Sequence, residues 1–234
     1  DNATLWTSDT GNPGEWQETR ILGTMHTVDV KIYPGKKKYM AWTGIEHARM
    51  NGYINHSIGG DISYLTHFDE KQQKPVRNAT YGDVTISFNA KVNLVSAEEL
   101  VFPYKNIAKS MRKMFDECQA LKLAPRILPA KELMCWSCYE LMFSDCVNLE
   151  TVPALPAVHL TPECYTRMFI RCRKLDMIPK LPATVLPESC YGSMFYGCES
   201  LTKVPDLSHV VEYNADGWYS GCMHWMFEKC TKAE

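Results

Sequence analysis

The 234 residues carry a formal charge of −2, with 45% hydrophobic and 22% charged side chains. That balance is ordinary for a globular protein and gives no broad electrostatic reason to bind nucleic acid or an anionic membrane. No run approaches the roughly 20 apolar residues that a membrane-spanning helix needs, and Asp1-Asn2-Ala3-Thr4 opens no charged-then-apolar export signal, so the chain either never carried one or has lost it.

The first third reads as a small β-rich domain, placed at residues 1–85 and sandwich-like. Thr27–Tyr33, Lys38–Trp42 and Thr85–Phe88 are rich in β-forming residues and partly alternate. Pro34-Gly35, Asn51-Gly52 and Gly59-Gly60 punctuate them as turns, and Lys71–Pro75 reads as a solvated loop. Trp6 and Trp16 stand among short polar residues, where exposed rings would stack on sugars; burial in a small core is the commoner fate of such rings. Asn2, Asn55 and Asn78 head glycosylation sequons, which matter only in a eukaryotic secretory pathway.

From residue 86 to 234 a different pattern takes over. Phe88, Leu94, Ala97, Leu100 and Pro103 form a degenerate entry unit. Three copies of Cys-Tyr-x-x-Met-Phe-x-x-Cys follow at a period of 26 residues: Cys138 to Cys146 around Met142, Cys164 to Cys172 around Met168, and Cys190 to Cys198 around Met194. Degenerate copies flank them, ending at Cys118 before and running from Cys222 to Cys230 after. After each second cysteine comes Leu-x-x-(Val/Ile/Ala)-Pro and then Leu-Pro-Ala, as in Leu149–Ala157 and Leu175–Ala183; in the last such segment Ser208 replaces the proline. Six extra residues fall between Asp206 and Cys222, around Tyr213–Tyr219. A period in this range marks units that bury apolar surface only by stacking on their neighbours.

The spacing Cys-x3-Met-x3-Cys puts three side chains on one face of a helix of about 10 residues, with Pro162-Glu163 and Pro187-Glu188 at its first turn. Proline biases the preceding residue toward extended conformations, so the Leu…Pro stretch reads as a short strand. The expectation is therefore an α/β solenoid with one strand and one helix per unit. Two cysteines of one such helix would stand about 12 Å apart, too far for a bond that wants Cα atoms about 4.4–6.8 Å apart. Cys118, Cys138, Cys146, Cys164, Cys172, Cys190, Cys198, Cys222 and Cys230, with Met142, Met168 and Met194, are thus expected to form a buried ladder of largely free thiols and thioethers. Cys118–Cys135 is the bond most open to exception. Cys135-Trp136-Ser137-Cys138 has the Cys-x-x-Cys form, but no redox-fold or zinc-finger context surrounds it, so it reads as structural. The seven histidines (His26, His47, His56, His67, His159, His209, His224) form no metal or catalytic motif. No catalytic residue, metal or cofactor is expected.

The tandem Met-Phe-x-x-Cys-x-x-Leu…Pro-x-Leu-Pro-Ala…Cys-Tyr pattern resembles the leucine-rich repeats of BspA-like surface proteins of Bacteroides and related gut bacteria, over about residues 105–230. The resemblance implies a right-handed solenoid and an exported protein, secreted or held at the cell surface, with an outer-membrane lipid anchor outside this chain as one form of attachment. It implies no catalytic residues. Counting each repeat leucine as position one, positions three and six face outward on the concave side: Leu123 and Arg126, Thr151 and Ala154, Met177 and Lys180, Lys203 and Asp206. These residues are the expected binding surface for a protein or extracellular-matrix ligand. A second expectation is carbohydrate binding through Trp6 and Trp16 with the repeats as spacer, and a third is a purely structural envelope component.

Overall fold

The computed structural model describes residues 3–21, 36–43, 47–50, 56–61, 68–75, 85–88, 93–102, 106–107, 111–128, 132–133, 135–213 and 221–232. The expected strand at Thr27–Tyr33, the turns at Pro34-Gly35 and Asn51-Gly52, the three sequon asparagines, His26, His67 and most of the insertion after Tyr213 lie outside them. The chain falls into two compact units, Asp1–His47 with Asp61–Val84, and Ala48–Gly60 with Thr85–Glu234.

In the first unit β1 (Ala3–Ser8) is the centre of an antiparallel sheet between β2 (Gln17–Ile21) and β3 (Tyr39–Thr43). Leu5 lies opposite Thr19 on one side and Trp42 on the other. Trp6, Trp16 and Ala41 form the buried cluster of this unit. Its other described strands, β6 (Phe68–Asp69) and β7 (Lys74–Pro75), make a small hairpin whose turn is held by Asp69 Oδ1, which accepts from the Lys71 and Gln72 amides at 2.9 and 3.0 Å. In the second unit β4 (His47–Met50) pairs with β8 (Thr85–Phe88), and β5 (His56–Asp61) with β9 (Leu94–Val101).

The repeats carry the main correction. No helix occurs among the described residues, so the α/β leucine-rich solenoid with a helix in every unit is not the fold. Each Cys-Tyr-x-x-Met-Phe-x-x-Cys run is a chain of overlapping tight turns in which the backbone donors alternate. Glu140, Met142, Ser144 and Cys146 donate to the carbonyls three residues back, at 3.1–3.2 Å. Tyr139, Leu141, Phe143 and Asp145 instead donate to Cys164, Thr166, Met168 and Ile170 of the next copy, at 2.8–3.0 Å. The same alternation recurs from each copy to its successor, including Tyr191 to Cys222 across the six-residue insertion. In an α-helix all these donors would stay inside the segment. Here every fourth residue is left-handed (φ 56° at Leu141 and Asp145, 55° at Arg167, 59° at Arg171), which turns the intervening amide outward to the neighbouring copy.

The one-strand-per-unit expectation also changes. The Leu…Pro stretches make only single parallel bridges, Ser96 to Leu123 and Ile127 to Ala154. Pro125, Pro153, Pro179 and Pro205 remove the donor that a longer ladder needs. Regular pairing occurs just after the Leu-Pro-Ala positions. There β10 (Asn106–Ile107) pairs in parallel with β11 (Glu132–Leu133), and β12 (Val185–Leu186) with β13 (Glu212–Tyr213).

Side chains stack as the backbone does. Phe88, Phe115, Phe143, Phe169, Phe195 and Phe227 form one column, with parallel rings and centroids 5.2–5.7 Å apart. Tyr139, Tyr165 and Tyr191 form a second, at 5.7 and 6.0 Å. Each ring contact adds about 0.5–1.5 kcal/mol to the burial of the ring itself. The second cysteine of each run has a polar role as well: Cys146, Cys172, Cys198 and Cys230 donate Sγ–H to the carbonyls of Phe115, Phe143, Phe169 and Phe195 one copy back, at 3.0–3.1 Å. Gly192 sits in a close approach: a Cβ there would stand 2.5 Å from the His224 ring, so a larger residue would force that ring to shift.

Candidate functional site

The outward side chains proposed from position counting do not form one uniform surface. Arg126 is engaged by Glu99 at 2.7 Å and Glu98 at 3.4 Å. Thr151 Oγ1 accepts the Ala124 amide at 2.8 Å, and Leu123 is half-buried at a backbone bridge, so both serve the join between copies. Ala154 is exposed but likewise sits at a bridge. Met177, Lys180, Lys203 and Asp206 are exposed.

Of these, Lys180 and Asp206 are brought together. They line a cleft of about 430 Å³ between consecutive repeats, with Ile178, Pro179, Leu181 and Pro182 from one copy and Pro205 and His209 from the next. Three prolines and two aliphatic side chains make its lining largely apolar and stiff, and the cation and the anion stand on opposite copies. Met177 and Lys203 are not part of the lining.

Position counting missed His209. Its Nε2 is 2.8 Å from the Leu181 carbonyl, so that nitrogen carries the hydrogen and donates. The histidine thus clips one copy to the other across the cleft. The signal that bears on it is the loss of the Leu-Pro-Ala proline at Ser208. An N–H replaces the missing donor and gives 2.9 Å to Asp206 Oδ1. This bond, with the nearby His209, holds the Asp206 carboxyl below its ordinary range. The side chain therefore stays anionic at neutral pH. The cleft presents an apolar stretch flanked by one positive and one negative group, with the His209 ring at its edge.

The remaining expected sites resolve differently. Trp6 and Trp16 are buried, with 4% and 9% exposure, and offer no open ring face for a sugar. Cys146, Cys164 and Cys172 with Met142, Met168 and Met194 are fully buried; Cys118, Cys190, Cys198 and Cys222 are buried, and Cys230 is partly so. Cys138 is buried but is not a thiol: it is bonded to Cys135, with Cα atoms 5.5 Å apart, so Cys118 is not the partner of Cys135. Burial away from water pushes the Cys118 thiol up to about 12 and raises Cys146, Cys164, Cys172, Cys190 and Cys198 well above the usual thiol range. Such thiols are inert at neutral pH.

No group of three or more His, Cys, Asp and Glu side chains suited to a metal occurs among the described residues. No helix among them is long and apolar enough to cross a membrane. Comparison with known protein families, characterised proteins and solved structures finds no match to this chain, so the resemblance to BspA-like proteins stands on the repeat motif alone.

Proposed function

We propose that this chain is a non-enzymatic binding protein, secreted or displayed at the cell surface, whose ligand is a protein of the surrounding matrix. The observation that carries the reading is the cleft between Ile178–Pro182 and Pro205–His209, where Lys180 and Asp206 flank an apolar lining. The His209 ring ties the two walls at the Leu181 carbonyl, and the β12–β13 pairing follows a few residues beyond, so less ordering is left for the moment of binding, and that favours affinity. A disulfide at Cys135–Cys138 accords with an oxidising location outside the cell. With Trp6 and Trp16 buried, nothing among the described residues of the first unit favours the carbohydrate reading.

The test is binding of the full chain to an array of matrix proteins, repeated with Lys180→Glu, Asp206→Lys and a control, Lys203→Glu, on the same exposed surface but outside the cleft. A matrix ligand retained by the control and lost with either cleft variant is the expected result. No binding to any arrayed protein, or binding indifferent to both cleft variants, overturns the reading.

A further inference from the structure

Ten cysteines differ in one respect that the repeat does not predict. Eight are free, and of these Cys118, Cys146, Cys164, Cys172, Cys190, Cys198 and Cys222 are buried, with Cys230 half-buried. The remaining two, Cys135 and Cys138, are joined. Cys138 occupies the same place in its copy as Cys164 and Cys190 and is as fully buried as they are. Cys135 lies off the repeat and is half-exposed; its neighbour Trp136 has 69% of its surface open to solvent. The bond thus runs from the interior of the stack to its surface, and only its outer sulfur can be reached.

We propose that Cys135–Cys138 is a thiol–disulfide exchange site, at which a small-molecule monothiol adds to Cys135 alone. In the first step the monothiolate forms a bond to Cys135 Sγ, the Sγ–Sγ bond breaks, and its electron pair leaves on Cys138 Sγ, which takes up a proton. In the second step another monothiolate attacks the mixed disulfide. It releases Cys135 as a thiolate, which takes up a proton, and leaves the small molecules as their own disulfide. The protein gains two electrons and two protons, and two monothiols are oxidised.

The surroundings favour this one site. Thr161 Oγ1 donates to the Cys135 carbonyl at 2.7 Å, and the Ser137 amide donates to the Pro162 carbonyl at 3.2 Å. The following Tyr139 amide is tied to Cys164 at 2.8 Å. The next copy therefore holds the backbone on both sides of the bond, and the two reduced thiols stay within reach of each other for reoxidation. The surrounding thiols do not compete, because burial keeps them protonated. Departure of the Cys138 sulfur is slow chemistry, since its developing negative charge is buried away from water. The site therefore responds to sustained rather than brief exposure to thiols.

The experiment treats the whole chain with 2-mercaptoethanol under oxygen-free conditions, quenches with acid and maps adducts by peptide mass. A reduced monothiol can add only where a disulfide exists, so the half-buried Cys230 serves as an internal blank. One adduct, on Cys135, is expected. Denatured protein should then titrate as ten thiols after full reduction and eight before it. In Cys138→Ser, Cys135 should be alkylated in the native state; in Cys135→Ser, Cys138 should resist alkylation until unfolding. An adduct on Cys138, no adduct at all, or ten thiols before reduction overturns the proposal. The wild-type map alone decides it if either variant fails to fold.

Discussion

Raising the pH to about 9.5 places the buried thiols in direct conflict with the fold, and the cost follows from linkage. Cys118, Cys146, Cys164, Cys172, Cys190 and Cys198 all have raised folded-state values because burial disfavours the thiolate. In the unfolded chain they ionise near the ordinary value of about 8.5. The native state thus keeps protons that the unfolded state releases. Its stability is intact below about pH 8.5 and falls as pH rises toward the folded values. At about pH 9.5 each such thiol costs roughly 1.4 kcal/mol, and six together cost about 8 kcal/mol. A domain of this kind is stable by about 5–15 kcal/mol in all, so alkaline unfolding should set in around pH 9–10. Urea titration followed by tryptophan fluorescence, at neutral pH and at successive alkaline steps without oxygen, measures the loss directly. Cys172→Ala should remove about one proton from the linkage, flattening the slope by roughly 1.4 kcal/mol per pH unit at its steepest. Stability unchanged to within about 1 kcal/mol up to about pH 9.5 would refute the buried-thiol interior.

Two further substitutions test the repeat conformation. Arg167→Gly should stabilise by up to about 1 kcal/mol, because a left-handed non-glycine residue costs roughly 1–2 kcal/mol and glycine returns only part of that as unfolded-state entropy. In a helix the same change would cost about 1 kcal/mol, so the sign of the shift in the urea midpoint separates the two structures. Phe169→Ala, in the middle of the phenylalanine column, should cost about 3–5 kcal/mol by the same measurement, and a loss under about 1 kcal/mol would contradict the stacking.

The inward residues were legible in the sequence, and the backbone that presents them was not. A spacing of four brings side chains to one face of a helix, but it does so with a drift of about 40° per step. It does so without drift when the backbone itself repeats every four residues, as it does here. The distinguishing signal is the adjacent pair: Cys138-Tyr139 and Met142-Phe143 are all fully buried, and only every fourth residue, Leu141 and Asp145, is part-exposed, a period of four. Serine at 137, 189 and 193 and glycine at 197 hint at the left-handed positions. Glu163, Arg167 and Arg171 occupy the same positions and obscure the hint. Pairing of Cys135 with Cys138 was hidden for the same reason, since it depends on a turn that a helical reading does not contain. At the cleft, Lys180 and Asp206 were visible by counting. His209 was not, because its role depends on a carbonyl 28 residues earlier.

Half of the donors in each run belong to the next copy, so no copy completes its own hydrogen bonds, and the column of rings and sulfurs is shared in the same way. A residue inside that ladder cannot change without affecting two neighbours, and a ligand cannot reach it. Differences between copies are therefore informative only where the ladder does not constrain them. The last copies depart from the pattern twice outside it, at Ser208 and in the insertion before Cys222. The ladder resumes beyond both at Tyr191 to Cys222 with an ordinary 2.8 Å bond. The first departure supplies the amide that holds Asp206, in the cleft where Lys180 and Asp206 meet. The proposed binding cleft thus lies where the repeat is broken, and the repeat itself leaves no such freedom in its interior.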